Sequence, residues 1–114
     1  MTNNISKVAK DAHRIAMEHG WWDKDILARR SFGDMITLMH CELSEAYEEY
    51  CKGHKVDEVY YQKNGKPEGI PMELADCVIR IFDFCEANEI DIEKAILEKM
   101  EFNKTRPFRH GKKC

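Results

Sequence analysis

The sequence lacks most of the features that would place it in a broad class at once. Its 114 residues contain no apolar run of membrane length and no leader-like segment, so neither a membrane-embedded nor an exported protein is expected. Alternation of apolar and polar residues is nearly absent. Residues 56–61 are the one short strand candidate, which argues against a sheet-based fold. There is no internal repeat and no low-complexity tract. The five cysteines (Cys41, Cys51, Cys77, Cys85 and Cys114) include no CxxC pair and are odd in number. That spacing argues against a zinc site built from thiols. It points instead to a reduced, cytoplasmic setting in which a thiol serves as a small apolar group.

What the chain does have is charge. Charged residues make up 34% of it and apolar residues 43%, so any helix that buries an apolar stripe leaves a heavily charged opposite face. The formal net charge is −3, but it is unevenly spread. Residues 99–114 hold Lys99, Lys104, Arg106, Arg109, Lys112 and Lys113 against Glu101, a balance of +5 that leaves the remainder at −8. The length suits one domain spanning residues 1–114, with 99–114 as a basic C-terminal segment. An acidic body with a basic tail suggests a cation at one place and phosphate at another, and a solvated charged tail is the plainer alternative.

Apolar periodicity marks four helices. The first covers about Ile5 to Glu18 and stops at Gly20. The second runs from about Asp34 to Cys51 and stops at Gly53. The third opens on Pro71 and continues to about Ala87. The fourth follows Asp91, a plausible N-cap, and ends near Lys104 ahead of Pro107. The all-α fold expected from this is a four-helix bundle. Because the third helix is apolar around nearly its whole circumference, oligomerisation is expected to complete the bundle.

The acids on the second and third helices stand out. On the second, Glu42 and Glu49 project within the apolar arc and Glu45 lies at its edge, whereas Glu48 projects toward solvent. On the third, Glu73, Asp76, Arg80 and Asp83 stack on one narrow face. Burying an unpaired carboxylate is costly or forces it to take up a proton, and like charges one turn apart repel. Two compensators are open: a buried ion-pair network through Arg80, or a hard divalent cation. Oxygen-only ligands favour Mg2+, with Mn2+ as a substitute. Glu42-Leu-Ser-Glu45 is an ExxE pair and Glu73-Leu-Ala-Asp76 an ExxD pair, and each puts two carboxylates over one helical turn. Facing each other, the two pairs would form a four-carboxylate cage. Neither pair ends in His, which argues against a di-iron bundle.

These two motifs, 27 residues apart, resemble those of the MazG-like all-α nucleoside triphosphate pyrophosphohydrolases. The resemblance extends through residues 40–49, 71–81 and 99–112, and covers roughly 5–112. Cys41 departs from it, because many members carry another acid there, and that bears on the number of ions held. The resemblance implies Mg2+-dependent hydrolysis between the α and β phosphates of a nucleoside triphosphate, giving a monophosphate and pyrophosphate. It assigns the metal to Glu42, Glu45, Glu73 and Asp76. We expect Glu42 or Glu45 also to act catalytically by orienting or deprotonating water. Glu49 and Asp83 are then candidates for a supporting role or a second ion. The family also implies a homodimer or homotetramer. A non-catalytic helical module that binds a metal or a partner is the alternative.

The remaining expectations concern the tail and the tryptophans. Lys99, Asn103 and Arg106 share one face if the fourth helix persists, with Arg109 beyond it, and they are candidate phosphate-binding residues. No nucleic-acid module is apparent and the body is acidic, so a nucleic acid partner is not expected. Trp21 and Trp22 are candidates for stacking on a base, with at least one of the two expected to pack inside.

Overall fold

The computed structural model describes residues 4–113, so Cys114, one of the five thiols, lies outside the described residues. Helix α1 (Ile5–Glu18) begins where the Asn4 side chain accepts from the Lys7 amide, and Gly20 follows its end in the left-handed region at φ 85°. A single helical turn that periodicity does not reveal, α2 (Lys24–Leu27), fills the connection. Helix α3 (Phe32–Cys51) starts two residues earlier than its apolar pattern suggests, because Ser31 and Asp34 form a reciprocal capping box. A two-stranded antiparallel ribbon follows, in which β1 (Tyr60–Tyr61) pairs with β2 (Pro67–Glu68) in the register Tyr60 to Glu68. Only the end of the sequence's strand candidate is extended. Helix α4 (Ile70–Ala87) has Pro71 in its first turn, and α5 (Ile92–Lys104) is capped by Asp91. A short 3-10 turn (Phe108–Gly111) closes the described chain.

Helix α4 packs against both α1 and α3, while α5 rests on α1. The buried apolar positions are mostly small: Ala9 and Ala12 on α1, Ala46 on α3, and Cys77 and Cys85 on α4, with Ile70 at the head of α4. Small side chains let the backbones approach closely but fill little volume. No large side chain among the described residues is fully buried.

The expected wrapping of the third helix is therefore only half met within one chain. Leu74, Val78 and Ile79 on α4 and Leu43 on α3 remain about half exposed, and Tyr47 and Tyr50 on α3 are more exposed still. The accessible surface is 8955 Å² for 13.4 kDa, against about 6500 Å² for a compact monomer of that mass. The radius of gyration is 16.9 Å, where about 13 Å is usual for this length.

One glycine controls where α4 begins. Gly69 precedes the helix at φ 122°, and a Cβ there would lie 2.3 Å from the Glu58 carbonyl oxygen. Only a hydrogen fits between the ribbon's lead-in and the start of α4. Gly69→Ala should cost at least about 2 kcal/mol through backbone strain and that overlap. Urea denaturation checks it, and a midpoint within error of wild type would contradict it.

Candidate metal centre

Two helices supply the acids. Glu42 and Glu45 lie one turn apart on α3, and Glu73 and Asp76 one turn apart on the first half of α4. Because α3 and α4 pack together, the pairs meet. Oxygens of Glu42, Glu73 and Asp76 all lie within 4.8 Å of one another. Glu45 is exposed and falls outside that mutual group, but its carboxyl reaches Glu73 closely enough to bear on that group's ionisation. The sequence expected Glu42 and Glu49 inside and Glu45 at the margin, and this is what α3 does: Glu42 and Glu49 are each 7% exposed.

Electrostatics of the cluster are those of too many acids in too little water. Burial raises Glu73 to about 8, reinforced by hydrogen bonding and charge from Glu45 and Glu42. Asp76, which the sequence put on a buried face, is exposed, but partial loss of water around its carboxyl still raises it, with Glu42's charge adding and Arg80 opposing. The ion-pair alternative is partly realised, since Arg80 Nε donates to Glu42 Oε1 at 2.9 Å. It satisfies one oxygen only. Glu42 Oε2 and Glu73 Oε2 are both buried with no hydrogen-bond partner. Leaving such atoms unpaired is expensive, and a shared proton or a cation is what would satisfy both. Oxygen donors at this spacing fit a hard divalent ion.

The other two sequence candidates for this cluster are already committed elsewhere. Glu49 accepts from the Tyr60 hydroxyl at 2.7 Å and has His54 Nε2 at 3.4 Å, with the His54 ring stacked on Tyr60. That bond to Glu49 lifts the Tyr60 hydroxyl to about 12. Glu49 thus ties α3 to the ribbon. Asp83 Oδ1 accepts from Trp22 Nε1 at 2.8 Å and meets His13 Nδ1 at 2.7 Å. It lies two turns along α4 from Asp76, about 10 Å away at 1.5 Å per residue.

The tryptophans divide. Trp22 is held by Asp83 and packs edge-on against His13, whereas Trp21 is 51% exposed with the Arg30 guanidinium 5.4 Å from its ring centroid. Trp21 borders a cleft of about 590 Å³ between α1, α3 and α4, whose wall runs from Glu42 and Asp76 through Arg80 to Asp83.

The basic segment is not brought to this cleft. Lys99, Asn103, Arg106 and Arg109 do not line it; Lys99 and Arg106 lie over the Phe102 ring, and Arg109 over Phe108. The cations that do reach the acids are ones sequence reasoning did not assign to phosphate. Arg80 was visible on the acidic face. Lys66, on the ribbon turn, has its pKa raised first by Glu68 and then by the charges of Glu73 and Asp76. No periodic signal could have found Lys66, because its place depends on how the ribbon folds back over α4. Comparison with protein-family models, with curated proteins and with solved structures finds no match for this chain.

The raised Glu73 makes a signed prediction. A carboxyl whose folded pKa stands above its unfolded one is stabilising in its protonated form, and that contribution disappears as pH rises through the folded value. With chelator present, the melting temperature should therefore fall by several degrees between pH 6 and pH 8.5. A divalent ion replaces the proton, so Mg2+ should raise the melting temperature more at pH 8.5 than at pH 6. A Mg2+ effect independent of pH, or none at all, would count against a cation site at Glu42, Glu73 and Asp76.

Proposed function

We propose that the protein is a Mg2+-dependent nucleoside triphosphate pyrophosphohydrolase that cleaves between the α and β phosphates. The observation that carries the reading is the pair of buried, partnerless oxygens on Glu42 and Glu73, with Glu42 and Asp76 on the wall of a cleft large enough for a nucleotide. The motif resemblance of residues 42–45 and 73–76 adds the substrate class. Glu42, Glu45, Glu73 and Asp76 would hold the ion, with Mn2+ able to substitute. A bound divalent cation would offset phosphate charge and make water a stronger nucleophile. Glu45, exposed beside Glu73, is suited to orient that water and take its proton. Arg80 and Lys66 are the cations nearest the acids, and we assign them phosphate contact ahead of Lys99, Asn103, Arg106 and Arg109.

We further infer that a second copy of the chain covers the exposed side of α3 and α4. The surface in excess of a compact monomer is about 2400 Å², and a standard interface needs only about 800 Å² from each partner. Leu43, Tyr47, Leu74, Val78 and Ile79 supply its apolar content. Sedimentation should give a dimer or tetramer; a monomer at micromolar concentration would refute it.

The exposed apolar side chains also suit the second reading, a non-catalytic helical module, so activity is what separates the two. Deoxynucleoside triphosphates incubated with Mg2+ should yield monophosphate and pyrophosphate, and chelator should abolish the reaction. Glu73→Gln and Glu45→Gln should each lower kcat/KM about 100-fold or more, the scale of losing one aligned electrostatic contact in a transition state. Orthophosphate in place of pyrophosphate, or full activity in both folded variants, would overturn the proposal.

A further inference from the structure

Asp83 is the titratable group that the proposed chemistry leaves unused. It lines the same cleft as Glu42 and Asp76, but about 10 Å further along α4. Two contacts converge on a single one of its oxygens: Trp22 Nε1–H donates to Oδ1 at 2.8 Å, and His13 Nδ1 lies 2.7 Å from it. The carboxylate is thereby fixed in orientation. Among the described residues no hydrogen bond reaches its second oxygen, Oδ2. An ionised carboxylate can only accept, so Asp83 offers one oriented acceptor with no donor of its own.

The surroundings specify what that acceptor is for. Trp21, 51% exposed and with the Arg30 guanidinium 5.4 Å from its ring centroid, borders the cleft beside it, and Arg30 also lines that cleft. An aromatic face, a fixed acceptor and neighbouring donors are together what a nucleobase requires, for its flat surface and its mixed edge. The separation along α4 is also suitable. If phosphates lie at Asp76, a nucleoside extending along the cleft brings its base to the level of Asp83.

Resting on the pyrophosphohydrolase reading, we propose that Asp83 Oδ2 reads the exocyclic amino group of the base, so that the enzyme selects nucleotides with an amino-bearing base over their carbonyl counterparts. A carbonyl oxygen placed there would meet the carboxylate lone pairs with no hydrogen between them. Asp83 is part-buried, and a site that offers an oriented acceptor discriminates against the analogue that cannot donate to it, beyond what shape alone provides. His13 and Trp22 are positioning residues in this scheme, because they act through Asp83. Trp21 would touch the base directly.

The test uses matched pairs that differ chiefly in that one group: dCTP against dUTP, and dATP against dITP, with Mg2+ and pyrophosphate release as the readout. Wild type should favour the amino member, in whichever pair it hydrolyses, by about tenfold or more in kcat/KM. Asp83→Asn keeps an oxygen for Trp22 and His13 and turns an N–H toward the cleft. It should abolish or invert the preference within each pair. Equal rates within both pairs in wild type would overturn the proposal without needing any variant to fold. A preference unchanged in folded Asp83→Asn would do the same. Both of those outcomes leave the pyrophosphohydrolase reading intact. Release of no pyrophosphate from any triphosphate would remove that reading, and this proposal with it.

Discussion

Glu42 and Glu73 face each other across the seam between α3 and α4, and one oxygen of each has neither solvent nor a hydrogen-bond donor. Much else in the molecule can be understood from that contact. Two carboxylates cannot both stay ionised in so little water, so the pair must hold a proton or a cation. Arg80 answers part of the charge and Lys66 approaches from the ribbon, but neither reaches the two orphan oxygens. The fold keeps this costly arrangement because both helices carry their acids in the same turns that carry their packing residues. Ala46 and Cys77 are buried one residue from Glu45 and from Asp76. Separating the acids would mean separating the helices.

The polar groups at the edges of this centre do different work from one another. Glu49 is as buried as Glu42, yet its charge is met by Tyr60 and His54, and it anchors the ribbon to α3. Lys66 lies on that ribbon, so the anchoring bears on the position of a cation near the acids. Asp83 is held by α1 and by the connection that follows it, through His13 and Trp22. The cleft is thus bounded at one end by acids that repel and at the other by an acid held by its neighbours. In the proposed reading, that asymmetry would let a set of carboxylates serve two purposes, cation binding and ligand recognition.

The thinness of the core has the same origin. The seams around α4 are lined by Ala and Cys, which permit close approach but bury little apolar area. Several larger apolar side chains of α3 and α4, among them Leu43, Tyr47, Leu74, Val78 and Ile79, are left exposed. A monomer with this much exposed apolar surface is short of burial, and covering that surface with a second copy is the simplest remedy. A partner there would also lower the dielectric around the acids and raise the cost of leaving them without a counter-charge.

The amino-acid sequence by itself determined the long helices and the inward direction of Glu42 and Glu49, whereas Asp76, expected on a buried face, is exposed. The period of 3.6 residues, Asp91 as a cap, Pro71 in the first turn of α4 and Gly20 beyond α1 are local rules, acting within a few residues. The same periodicity put Glu42 and Glu49 inside and Glu48 outside, since a side chain's face follows from its place in the helix. Start signals with weak apolar flanks were less legible, as the Ser31–Asp34 box and the short α2 show. Only the tertiary structure decided which inward acids share a site. Glu42 meets Glu73 while Glu49 meets Tyr60 and Asp83 meets Trp22, because each partner comes from a distant segment and its height along the helix depends on how the elements pack. The tail shows the same division. Its charge was plain in the sequence, but Lys99 and Arg106 rest against Phe102 and away from the acidic cleft, a matter of where α5 docks and not of what it carries.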